Sequence, residues 1–283
     1  MPGVFGFDSY SPKEIAERVE NVGVIKANLP LLSQVALGAL AGGFIGLGAM
    51  FFTLVVSDGS LNFAIARVVG GVVFSLGLIL VVVAGAELFT GNNLLVMATV
   101  AGRIPVSRFL KNMIVIYLAN FVGAVGLAGL VAMSGQGQMG NSAVGNAAIT
   151  IAAAKCALPF SEAFFKGVLC NLLVCLAVWL AMAGRTVADK ILAIIFPIAA
   201  FVACGFEHSV ANMYFIPLAI FLREQTVAVG AADPTILNWI GLARNLLPVT
   251  LGNLVGGAGM VGLVYWVIYR RGANPESAPP GNR

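Results

Sequence analysis

The sequence predicts an all-α membrane protein: six transmembrane helices, the second and fifth of them broken, in an inverted 3+3 repeat. Three observations predict it. The 283 residues are 59% hydrophobic and only 10% charged, with a mean hydropathy of +0.96. An ordinary soluble domain is roughly 45–50% apolar and about 25% charged. Apolar runs recur that reach the ~20 residues a helix needs to cross the hydrocarbon core. Two of these runs are interrupted by the same acidic motif. Composition alone excludes a soluble globular enzyme, a disordered chain and a disulfide scaffold. The 34 glycines suit helices that pack closely in lipid.

In chain order, residues 1–30 form a cytoplasmic N-terminal segment. Within it, 11–26 reads as an amphipathic helix with Ser11 as cap, Pro12 in the first turn and Glu14 at the third position. Glu14, Glu17 and Glu20 ahead of the first apolar run are the wrong flank for a cleaved signal peptide. Residues 31–270 form the membrane domain. Its spans are Leu31–Val56, Val68–Gly102, Met113–Met133, Gly167–Gly184, Ile191–Leu222 and Asn245–Tyr269. The second holds Glu87, the fifth holds Glu207-His208, and both are too long for one simple crossing. Charge placement decides between six spans and eight. With six, basic positions 13, 18, 26, 103, 108, 111, 185, 190, 270, 271 and 283 share the N-terminal side, against 67, 155, 166, 223 and 244 opposite. With eight, the split is even. The positive-inside rule selects six, in the cell membrane with both termini cytoplasmic. Residues 271–283, rich in Pro, Gly and Asn, are expected to be a disordered cytoplasmic tail.

The two interruptions resemble each other. Gly85-Ala86-Glu87-Leu88-Phe89-Thr90 aligns with Gly205-Phe206-Glu207-His208-Ser209-Val210, and Asn120-Phe121-Val122-Gly123 with Asn253-Leu254-Val255-Gly256. Three spans per half invert the second copy. Broken helices at matching positions of such halves point to a transport site. A broken helix frees backbone groups, tolerated in lipid only inside protein or along a wet cavity. Half-helix N-termini also offer N–H donors and about +0.5 charge, which suits an anion.

Glu87, Glu207 and His208 are the ionisable side chains inside the spans proper, so they are expected to face protein or pore. The glutamates are expected to brace their own breaks by accepting backbone N–H bonds. His208 sits in a break beside an acid, with no second histidine for a metal. A neutral imidazole there can donate a hydrogen bond to a small anion, or pass it a proton. Phe74, Phe89, Phe201, Leu78 and Leu88 lie near the breaks, either as core or as a dry constriction. The four cysteines show no metal spacing and no CxxC. No metal site, cofactor or nucleic-acid partner is expected. A water or glycerol channel would carry NPA motifs, and an intramembrane metalloprotease HExxH; the sequence has neither.

Gly85–Asn93 and Gly205–Pro217 resemble the two signatures of the formate/nitrite transporter family. Asn171 with Leu172–Trp179, Leu247–Gly256 and Tyr265–Tyr269 add to the likeness, which runs from about Lys13 to Tyr269. Within the family the chain most resembles the formate channels, on Lys155 and the setting of Phe201, Cys204 and Gly205. It departs at Gly91-Asn92-Asn93, where several formate channels carry small hydroxyl residues. The resemblance implies an aquaporin-like protomer, a homopentamer and one pore per protomer. It implies transport rather than catalysis: formate first, then nitrite, hydrosulfide, acetate or lactate, with protons as a candidate co-substrate. Carried over, Leu88, Phe89 and Thr90 belong to a mobile loop at the cytoplasmic constriction. Phe74, Leu78 and Phe201 are constriction residues, with Phe74 and Phe201 toward the outside. His208 is the central pore histidine, Glu207 and Asn171 its supporting network, and Asn253 a pore-facing asparagine. Lys155 is an outer-vestibule lysine that attracts anions, and the N-terminal helix is implicated in pH-dependent gating.

Overall fold

The computed structural model describes residues 9–223 and 236–271; the predicted tail, apart from Arg271, lies outside them. The regular structure among the described residues is helical. We label the helices α1 (Pro12–Ala27), α2 (Leu31–Val56), α3 (Phe63–Gly85), α4 (89–100), α5 (Val106–Met133), α6 (Ala143–Cys156), α7 (Phe160–Ala183), α8 (Val187–Ala203), α9 (Ser209–Leu222) and α10 (Trp239–Tyr269). The central turn of α4 is 3-10, and α10 carries a π-helical stretch at Val255–Leu263.

Local chemistry sets the ends. Ser11 and Glu14 close a capping box on α1, as expected, and Thr186 with Asp189 closes another on α8. Helices α2, α5 and α7 start directly after Pro30, Pro105 and Pro159, which stand as N-caps: each carbonyl accepts a first-turn N–H, and the missing proline N–H falls where a helix has no partner for one. Asn62 caps α3, which therefore begins five residues before the predicted Val68. Among the described residues five helices are long and apolar enough to cross a membrane; α8 and α9 together make the remaining crossing, the broken fifth in chain order. Helix α6 was not predicted: it is 14 residues, too short to span, and rich in alanine.

The repeat is structural. Positions in α1 and α2 correspond to those 129 later in α6 and α7, those around the breaks to 120 later, and those in α5 to 133 later in α10. The tightest crossings obey this register. A Cβ on Gly123 would lie 1.8 Å from Ala39 O, and one on Gly256 would lie 2.1 Å from Val168 O. Backbone-to-backbone approach this close is how small residues drive helix association in lipid. Helix α1 covers one face of the bundle and its counterpart α6 the other, so the halves are inverted.

Candidate transport site

Each break is built the same way. Gly85 (φ +85°) ends α3 and Gly205 (φ +72°) ends α8 in the left-handed region open to glycine. Ala86 N–H donates to Val81 O (2.9 Å), and Phe206 N–H to Phe201 O (3.0 Å). These are the long bonds of Schellman closures. The chain then runs extended through Leu88 and His208, which serve as N-caps of the half-helices α4 and α9.

Two asparagines bracket the extended residues. Asn120 Oδ1 accepts from Phe89 N–H (2.9 Å), while its Nδ2 donates to Gly38 O (2.7 Å) and Glu87 O (2.9 Å). Asn253 Oδ1 accepts from Ser209 N–H (3.0 Å), while its Nδ2 donates to Gly167 O (2.8 Å) and Glu207 O (3.0 Å). Asn253 is therefore not free to face the pore: the protein uses its whole amide, and it is fully buried. The glutamates brace the breaks by another route than expected. Glu87 accepts from Asn92 Nδ2 (2.7 Å) and pairs with Lys26 Nζ (3.0 Å). Glu207 accepts from Asn212 Nδ2 (2.6 Å) and pairs with Lys155 Nζ (2.8 Å). A buried carboxylate needs a counter-charge, whereas a neutral amide can take one backbone N–H and satisfy two carbonyls. The division of labour follows.

The half-helix N-termini meet between the breaks. Thr90 Oγ1 lies 2.9 Å from His208 Nε2. His208 Nδ1 accepts from Ala211 N–H (3.0 Å). That bond leaves Nδ1 without a proton and places the ring's N–H on Nε2, toward Thr90. Asn171 Nδ2 donates to Thr90 O (3.3 Å) and Asn253 O (2.7 Å), so it supports the histidine through Thr90 rather than by touching it. Several of the expected free N–H donors are thus already partnered.

Three cavities line up through this point. A cavity of about 330 Å³ opens on the α6 face, with Lys155, Arg67, Phe74, Phe201, Glu207 and His208 in its wall. One of about 280 Å³ opens on the α1 face, walled by Lys26, Leu78, Glu87, Leu88 and Asn92 among others. Between them lies a chamber of about 10 Å³ bounded by Ile45, Phe74, Leu78, Leu88, Val174, Ile198, Phe201 and His208. Phe74 and Phe201, rings edge-on with centroids 5.6 Å apart, close it toward the α6 face, and Leu78 with Leu88 toward the α1 face. Phe89 is not in this wall; its ring packs edge-on against Tyr117 on α5 at 4.9 Å. Three pairs of lining residues are repeat counterparts: Ile45 with Val174, Leu78 with Ile198, and Leu88 with His208. The imidazole is the polar member of an otherwise apolar set.

Sequence reading missed Ile45, Val174, Ile198, Lys26, Asn92 and Asn212. A signal existed for the last three. Both breaks read Glu-x4-Asn, and Lys26 stands 129 residues before Lys155.

The chain matches the formate/nitrite transporter family model over residues 13–267. It is 42% identical over 276 residues to the formate channel FocA of Escherichia coli strain K12, covering 94% of this chain and 96% of that one. It is 41% identical to the formate channel FocA of Haemophilus influenzae, covering 89% and 92%. Among solved structures, a pentameric formate channel with formate bound superposes with a TM-score of 0.79 at 36% identity, covering 84% of this chain and 97% of that one. These relatives are channels, not enzymes. With the family model matched across residues 13–267 and a relative 42% identical over 94% of the chain, the chain belongs to the formate/nitrite transporter family.

Proposed function

We propose that the chain conducts small monovalent anions, formate first, through a pore in each protomer of a homopentamer. The carrying observation is the hydrogen bond from Ala211 N–H to His208 Nδ1, which aims the ring's remaining N–H at Thr90 beside a dry chamber. Lys155, and Lys26 on the other face, raise the local anion concentration, tempered by their glutamate partners. The apolar rings oppose passage of a bare ion, because an unpaired charge is costly in a dry site. His208 offers its Nε2 hydrogen where hydration is lost, and a proton arriving with the anion lets the acid cross as a neutral species. Protonating Nδ1 would set its new N–H against that of Ala211, so hydrogen-bond donation is the primary role.

The names and similarity of the relatives favour formate over nitrite, hydrosulfide, acetate or lactate. The face bearing α1 also holds Arg103 and Arg270, both paired with Glu20, and the bias of basic residues toward that face supports cytoplasmic termini in the cell membrane. The test is uptake of formate, nitrite and hydrosulfide by proteoliposomes across a pH range. Formate is expected to be favoured by the wild type, and His208→Phe is expected to lose most formate uptake and, with it, the pH dependence. A His208→Phe protein with wild-type rates and pH profile would remove the histidine from the mechanism.

A further inference from the structure

Arg67 has no part in the roles above. Because Asn62 starts α3 early, Arg67 falls inside the helix and reaches the wall of the α6-face cavity, half-buried. Its Nε–H donates to Ala203 O (3.1 Å) and its Nη2–H to Val202 O (2.6 Å). Around it, Cys204 N–H takes Ala200 O, Phe206 N–H takes Phe201 O and Gly205 N–H takes Val202 O. Arg67 takes the carbonyl of Ala203, the last residue of α8. The guanidinium therefore sits where the negative end of α8 points into the cavity.

That position matters for an anion. A helix C-terminus carries about −0.5 charge, and here it would face an approaching anion just before the Phe74–Phe201 closure. The repeat supplies no second guanidinium: the counterpart position is Val187. At the other break the last turn (Val83, Ala84, Gly85) is exposed.

We propose that Arg67 is an anion-specificity element of the α6-face entrance, cancelling the carboxyl-terminal field of α8 so that a monovalent anion can reach Phe201. This rests on the anion-conduction reading. Arg67→Lys keeps the charge and loses the fork; Arg67→Gln keeps a donor and loses the charge. The experiment measures formate influx against concentration in orientation-sorted proteoliposomes, with formate presented at the α6 face. At low salt, R67Q should raise the half-saturating formate concentration about three- to ten-fold, the scale of a helix-terminus charge. The difference should shrink near 0.5 M salt, where screening is short-ranged (about 4 Å). R67K should stay within about two-fold of wild type.

Equal loss of maximal flux in R67K and R67Q, with half-saturation unchanged, would make Arg67 a strut and overturn the proposal. Should R67Q not fold, Arg67→His makes the comparison within one protein, because an imidazole at this half-buried position can change charge between about pH 5 and 8. Its half-saturating concentration must then rise over that interval by more than the wild type's, and a parallel course overturns the proposal. Formate influx in the wild type with R67Q unaltered would defeat this proposal alone. A wild type that moves no formate would defeat the conduction reading and this proposal with it.

Discussion

Single side chains at the two breaks form one circuit drawn twice, and most of its joints are buried. Asn253→Ala would leave Ser209 N–H, Gly167 O and Glu207 O without their partner. A buried polar group left unpaired costs about 1–3 kcal/mol, so the variant should melt well below wild type in detergent. Asn120→Ala should do the same, and a midpoint within a degree of wild type would show that the brackets are dispensable. Lys155→Met strips Glu207 of its cation. The lysine side chain is 15% exposed and the glutamate 5%, so the loss should approach the roughly 3–5 kcal/mol of a broken buried pair. Adding Glu207→Gln should recover part of it, read as a coupling energy in a double-mutant cycle. Glu87, Glu207 and His208 were legible in the sequence because ionisable groups are rare inside apolar runs. Ile45, Val174 and Ile198 were not: an aliphatic residue in a membrane helix looks alike whether it faces lipid, core or chamber. Asn253 was identified as important, but its orientation depends on which backbone groups the break leaves over.

Among the elements, the helices were read more securely than their ends. All six predicted crossings exist, but α5, α7 and α10 each start six or seven residues before the predicted apolar run, because polar or charged residues such as Arg108, Lys111 and Lys166 sit inside the helices. Helix α6 escaped notice because alanine and glycine give it no hydrophobic stripe. The crossings predict their own failure point: Gly123→Val would force side-chain carbon into Ala39 O and should abolish recovery of folded protein, while Gly59→Val, with nothing within 4 Å, should be recovered normally. Helix α1 depends on pH at its tip. Its Ser11 hydroxyl and N–H hold the Glu14 carboxyl below the ordinary 4.5. A depressed carboxylate stabilises the fold above its unfolded value and loses that contribution as pH falls through the lower, folded one. Protection of the first-turn amides of α1, taken as exchange relative to the intrinsic rate at each pH, should therefore fall as acidity increases below about pH 4.5, and Glu14→Gln should remove the dependence.

For the molecule as a whole, the repeat makes a two-sided conduit from one design, and the asymmetry is concentrated where the halves touch. His208 stands where the other half has Leu88, and Thr90 where the other has Val210. His208→Leu alone should remove formate uptake, and exchanging both pairs (L88H, H208L, T90V, V210T) should restore part of it, since the polar contact is rebuilt from the opposite side. No recovery in a folded quadruple variant would show that the surroundings of α9, and not the pair alone, carry the role. The central void of about 10 Å³ sets a further condition on how such a molecule works. A compartment that small holds no more than about one water-sized group, so a passenger enters singly and only as the surrounding side chains give way. Successive passengers cannot push each other through, and travellers from opposite sides must take turns. Throughput should level off once the compartment is always occupied, and formate accumulated on the far side should slow arrivals from the near side even before the gradient vanishes.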